Sequence, residues 1–281
     1  MKRNPSLAGL VLAAALLCGC IVSASETRIM DIETGREMPL SDLLPELKKN
    51  RILFVGEVHD QQAHHEVQLS IIRALHESGT KVAIGMEMFR KDSQADLDRW
   101  VEGEITLKDF RPVYDDNWNF PWPLYGGILT YAREKRIPVV GLNVSKGITR
   151  QVARSGFQSL DGRQKEALPM VTCHVDEKYM HFIKESFGLH GHGRLNLTYF
   201  CEAQLVWDKS MAVHALEYLF SRPESLMVVV TGKGHAQKMG IPAQIRKRSS
   251  LPLTVMLPQL PESLVSGPQG RDDADYLFRS P

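Results

Sequence analysis

Residues 52–65 read Ile52-Leu53-Phe54-Val55-Gly56-Glu57-Val58-His59-Asp60-Gln61-Gln62-Ala63-His64-His65. Four apolar residues without alternation suit a strand buried on both faces, and a glycine followed by an acid and an imidazole marks where that strand ends. The same kind of run recurs at Val82-Ala83-Ile84, Ile137 to Val140, Met227 to Val230 and Leu253 to Met256. Between the runs lie amphipathic stretches. Glu66 to His76 places Val67, Ile71, Ile72 and Leu75 on one face, and Leu124 to Glu134 forms a second such segment. Strands alternating with helices predict an α/β fold, a mainly parallel sheet flanked by helices. Asp176 to Phe187 and Glu202 to Phe220 also read as helix. They fall between the third and fourth runs, so 145–222 is expected to be a helical insertion before the fourth strand.

Four of these runs lead straight into polar residues: Gly56-Glu57-Val58-His59, Gly85-Met86-Glu87-Met88-Phe89, Gly141-Leu142-Asn143 and Thr231-Gly232-Lys233-Gly234-His235. In an open parallel sheet, ligands bind beyond the carboxyl ends of the strands, where loops diverge and helix N-termini point inward. Glu57, His59, Glu87, Asn143 and His235 are therefore expected around one crevice. A lone loop histidine is more often a satisfied polar group than a catalyst, but the repetition at four strand ends weighs against coincidence. Glu87 carries more weight, because a carboxylate at the end of a buried strand must find a partner or stay protonated. His64 and His65 are adjacent at a helix start and face different directions, so at most one joins the site, and a solvated helix face accounts for them equally well. Met86, Met88, Met180, Met211 and Met239 read as gap-filling core. Trp118, Trp122 and Tyr125 around Pro121 and Pro123 read as a rigid aromatic loop able to cover the crevice, with ordinary packing the more economical explanation.

Two chemistries fit the strand-end set of Glu57, His59, Glu87 and His235. One is hydrolysis, esterase- or peptidase-like, with a histidine as general base to water. The other is a divalent metal such as zinc or manganese held by mixed imidazole and carboxylate ligands. The chain has no serine nucleophile elbow, P-loop or HExxH motif.

Composition narrows the class further. The chain has 281 residues, 43% hydrophobic and 24% charged, which is enough to bury a core, and a formal net charge of +1, which offers no basic field for nucleic acid. Lys2 and Arg3 followed by apolar Leu7 to Leu17 have the layout of a bacterial secretory signal, too short to span a membrane. The junction Leu17-Cys18-Gly19-Cys20 resembles a lipobox. We expect a signal peptide over 1–19, an acylated Cys20, a single α/β domain over 20–257 and a poorly ordered tail over 258–281. Cleavage after Val22-Ser23-Ala24 is the competing outcome. Cys173 and Cys201 then remain, as a disulfide or as two buried thiols.

Residues 52–65, Gly85 to Phe89 with Gln94, Gly141 to Asn143, Ala203-Gln204, Trp207-Asp208, Met211-Ala212, Gly234-His235 and Gly240-Ile241-Pro242 together resemble the ChaN family of haem-binding uptake proteins. That family shares a superfamily with the Tiki proteins and erythromycin esterases. The resemblance implies a lipoprotein of haem and iron acquisition at the cell envelope, anchored at the outer membrane rather than catalytic. It implies ferric haem as ligand, with the iron held by a tyrosine oxygen, Tyr179 in preference to Tyr199, and histidines such as His190, His192 and His181 nearby. Propionates would meet donors such as Arg194 or Lys184. A homodimer and an outer-membrane haem receptor are the partners implied. Read from the residues alone, the hydrolase and metal alternatives stay open.

Overall fold

The computed structural model describes residues 27–190, 196–261 and 269–279. Its first elements are strands β1 (Arg28–Asp31) and β2 (Glu37–Pro39) and helix α1 (Leu40–Leu47). The decisive stretch then forms β3 (Ile52–Glu57) and α2 (Gln62–Glu77), followed by β4 (Val82–Arg90). Helices α3 (Gln94–Val101), α4 (Leu107–Asn117) and α5 (Trp122–Lys135) lead to β5 (Val139–Asn143). Four helices fill the expected insertion: α6 (Lys146–Ser155), α7 (Gly162–Glu166), α8 (Glu177–His190) and α9 (Leu197–Ser221). After it come β6 (Leu226–Gly232), the single turn α10 (Lys233–Ala236), α11 (Ile241–Arg246), β7 (Leu253–Pro258) and β8 (Tyr276–Arg279).

The eight strands form one mixed, mainly parallel sheet in the order β2-β1-β8-β7-β3-β6-β4-β5. β3 lies between β6 and β7 and parallel to both, while β1 runs antiparallel to β8 and β2. Central strands are wholly buried, as their unbroken apolar runs require. On one face Leu53, Val55 and Ile84 pack with Ile71, Leu75, Trp100 and Leu129. On the other, Phe54, Met227 and Val229 pack with Met211 and Ala215 of α9 and Ile245 of α11. The insertion has a smaller core of its own, including Val152, Phe157, Ile183, Phe200 and Val206. Each such side chain contributes about 1.5–3 kcal/mol when fully buried.

Three expectations need amendment. The tail 258–281 is not without order: Tyr276 to Arg279 forms β8, pairing with both β7 and β1 and burying Leu277 and Phe278. Its apolar core is two residues long amid Pro, Gly and charge, too little for periodicity to register. β4 continues past Glu87 to Arg90, with a register shift against β5 after Met86. Trp122 and Tyr125 belong to the first turns of α5, where Pro123 is tolerated because the early N–H groups of a helix have no intrahelical partner. Cys173 and Cys201 form a disulfide that ties the segment before α8 to the first turns of α9.

Candidate functional site

β3, β4 and β6 end side by side, and their last residues form the floor of a cleft of about 510 Å³. Glu57, His59, Glu87 and His235 all line it, as does Asn143. The crevice expected from the strand ends is therefore present as an arrangement of side chains. Trp118 forms one wall, while α8 and α9 supply the others through Phe182, Phe200 and Trp207. Asn143 donates to the backbone carbonyl of Glu87 at 2.8 Å, tying β5 to the bulged end of β4.

Glu57 is 1% exposed. Its Oε1 accepts from His59 Nδ1 at 2.8 Å and from the Tyr125 hydroxyl at 2.5 Å. Its Oε2 lies 2.9 Å from His65 Nδ1, a nitrogen that also faces Gln68 Oε1 at 3.2 Å. Burial alone would raise the Glu57 pKa, but the hydrogen bonds and charges of His59 and His65 outweigh it and hold the carboxyl at about 2. His59 responds in kind: burial works against its charge, yet the bond to Glu57 and the nearby Glu87 raise its pKa. Of the adjacent histidines, His65 joins the site. His64 is buried elsewhere, accepting from the Val58 N–H at 3.0 Å and meeting Phe278 edge-on, so neither belongs to a solvated helix face.

Glu87 is 6% exposed, and its Oε2 accepts from the Thr231 hydroxyl and, at 2.7 Å, from the Gly232 N–H. Its Oε1 lies 3.8 Å from His235 Nε2. His235 Nδ1 meets Asp208 Oδ1 at 2.6 Å, and Asp208 Oδ2 accepts from the Tyr179 hydroxyl at 2.7 Å. Burial opposes the charge on His235, but Glu87 and Asp208 prevail and raise its pKa to about 9. Gly232 is needed at the centre of this floor, because a Cβ there would lie 2.8 Å from the His59 ring. Among the described residues, no group of three or more His, Cys, Asp or Glu side chains is arranged to hold a metal ion.

The haem candidates fall differently. Tyr179 is 3% exposed and gives its hydroxyl to Asp208, and burial and that carboxylate push its pKa well above the ordinary value. A ferric ligand must be reachable and able to lose its proton, and the Tyr179 hydroxyl is instead buried and given to Asp208. Tyr199 is half-buried at the start of α9, its ring against Gly156, and its hydroxyl makes no hydrogen bond to a described residue. Gly156 has φ +81°, a conformation that favours glycine, and a Cβ there would lie 2.7 Å from the Tyr199 ring. His181 is exposed on α8 and pairs with Glu185. His192, Arg194, Cys20 and the signal lie outside the described residues, as does the side chain of His190. In the sequence Asp208 stood out only as part of the family motif and Tyr125 only as part of an aromatic loop, with no hydrogen-bonding role in this site for either. A carboxylate in an apolar helical stretch, Leu205 to Ala212, was the available signal for Asp208.

Residues 43–245 match the model of a family described as haem-binding uptake, Tiki superfamily, ChaN. The fold is similar to that of ChaN from Campylobacter jejuni, a protein that binds haem cofacially, with TM-score 0.71 and 18% identity over 91% of this chain and 97% of that one. A mutant of the erythromycin esterase EreC is more distant, with TM-score 0.50 and 14% identity over 85% of this chain and 78% of that one. No curated protein matches the sequence.

Proposed function

This chain belongs to the haem-binding uptake family of the Tiki superfamily that includes ChaN, and on that premise we propose that it binds ferric haem as cargo for iron acquisition at the cell envelope. The observation that carries the reading to particular residues is the state of Tyr199: half-buried, its ring pinned against Gly156 and its oxygen not spent on a described partner. A phenolate is a hard anionic ligand that suits ferric iron. Tyr199 therefore holds the iron, and His190 and His192, on the chain just before α9, assist it. Tyr179 stabilises the site beneath instead. The cofacial haem of the Campylobacter relative supports pairing of two copies of this chain around facing haems.

Haem titration of the purified protein is expected to give a saturable Soret band and to drive dimerisation in sedimentation. Tyr199→Phe is expected to change the Soret and charge-transfer bands while Tyr179→Phe leaves them in place. No saturable binding by the parent protein overturns the function, and unchanged spectra for Tyr199→Phe overturn the ligand.

The junction Leu17 to Cys20 supports attachment through an acylated Cys20. Among the described residues no helix is long and apolar enough to cross a membrane. Acyl methylenes would supply about 0.8 kcal/mol each to such an anchor. Mass spectrometry of the mature N-terminus is expected to find lipid on Cys20, and an unmodified terminus at Ser25 refutes the anchor.

A further inference from the structure

The Cys173–Cys201 bridge closes a loop spanning 28 residues, from the stretch before α8 to the first turns of α9. Tyr199, His190 and His192, the residues assigned to haem, all fall between its two cysteines in sequence. We propose that this bridge is a redox switch on haem affinity, tight when oxidised and loosened when an external dithiol opens it. The proposal rests on the haem reading above and names the regulation of that site.

Tyr199 and α8 are fixed from different sides. The turn that carries Tyr199 belongs to the body of the insertion: the Asn196 side chain accepts from the Tyr199 N–H at 3.2 Å, and its ring lies against Gly156. One turn on, Glu202 Oε2 accepts from the Phe157 N–H at 2.8 Å. Helix α8 is attached instead at its own start. The Tyr179 hydroxyl donates to Asp208, Lys178 pairs with Asp273 at 3.0 Å, and the Phe182 ring covers Gly234, where a Cβ would come within 2.7 Å of it. Further along, α8 meets the Tyr199 turn through Phe187, edge-on to Phe200 with ring centroids 5.6 Å apart. A ring pair is a weak tie beside a covalent one. The bridge therefore joins Tyr199 and α8 into one body, and opening it lets them part while each keeps its own anchors.

One end of the bridge is open to a reductant. Cys173 is half-buried in 169–176, a stretch without helix or strand, between exposed Thr172 and His174, whereas Cys201 is wholly buried. Thiol exchange follows access. A thiolate of the incoming dithiol bonds to Cys173 Sγ, the bridge breaks, and Cys201 Sγ leaves and takes up a proton. The second sulfur of the dithiol then attacks the mixed disulfide, which closes its own S–S bond and releases Cys173 to be protonated in turn. Two electrons pass from the dithiol to the bridge, and an oxidised partner reverses the exchange. Lys209 Nζ still holds the stretch at the Met170 carbonyl, 2.8 Å away, so the loosening is confined to the chain beyond it, which leads into α8.

The test is a haem titration followed at the Soret band. Three samples are compared: the oxidised parent, the parent reduced with dithiothreitol and desalted under nitrogen, and Cys173→Ser with Cys201→Ser. The reduced parent and the double variant are both expected to bind haem about tenfold or more weakly than the oxidised parent, because an unlinked site has to be ordered again on binding. Reoxidation should restore the parent and leave the variant unchanged. Equal affinity in the two states overturns the switch and leaves the haem function standing, while no saturable binding by the oxidised parent overturns both. Hydrogen exchange separates local loosening from general unfolding. In the reduced protein at the titration temperature β3 and β6 are expected to stay protected, and loss of their protection overturns the switch in favour of a plain structural staple. No rise in titratable thiol when the native protein meets dithiothreitol overturns it as well.

Discussion

Replacing Glu57 with Leu is expected to destabilise the protein by about 4 kcal/mol, because breaking a buried charge pair from one side costs about 3–5 kcal/mol. His59, His65 and Tyr125 all face this one carboxylate, and the other carboxylate acting on His59 and Tyr125 is Glu87. In a chain of this size the loss corresponds to a fall of about 10 °C in unfolding temperature. Calorimetry checks it, and a fall of less than about 3 °C would mean that the donors find other partners. The same carboxylate makes an acid prediction whose sign follows from its depressed pKa. Its contribution is complete above the unfolded value of 4.5 and is lost as pH falls through about 2. The shift corresponds to about 3 kcal/mol. Urea unfolding of the parent is therefore expected to weaken steeply below pH 4.5, and that part of the dependence should vanish in Glu57→Leu.

Opening the Cys173–Cys201 disulfide is expected to cost about 3.5 kcal/mol by the loop-closure relation, since the bridge spans 28 residues. The effect should be largest in the segment before α8, which has no helix or strand of its own to hold it. Cys173→Ser with Cys201→Ser, or the parent under reductant, should unfold about 7–14 °C lower. Hydrogen exchange should quicken first around Tyr179 and Phe182, while β3 and β6 stay protected. A melting temperature unchanged within about 2 °C would show that packing of α8 on α9 needs no bridge.

The central strands were legible in the sequence because a strand buried on both faces has to be apolar throughout, and a turn into a helix then needs glycine and polar residues. That one rule located Glu57, Glu87 and His235 with their strands. It could not locate β1 and β8, which are four residues long and half exposed along one another. Asp208 escaped for a different reason. It lies in a 25-residue helix whose apolar residues face more than one neighbour, so no single stripe isolates the odd carboxylate. Tyr125 was visible only as an aromatic beside prolines, and its role depends on a 68-residue separation from Glu57 that composition does not encode. The burial of Tyr179 against Asp208 was out of reach for the same reason, since a hydrogen bond across 29 residues leaves no mark in composition.

The pairing of β1 with β8 also sets an order of events. Asp31 is matched with Tyr276 and Arg28 with Arg279. A polypeptide delivered N-terminus first presents β1 almost at once and its neighbour only after the helical insertion and the six strands β2 to β7 have passed. Until then β1 has hydrogen-bonding partners on its β2 side alone, an open edge of the kind that invites wrong pairing. Contacts this distant in sequence form slowly. The domain therefore closes only once its last strand has been delivered, and the interval before closure is when the open edge of β1 is most exposed to wrong partners.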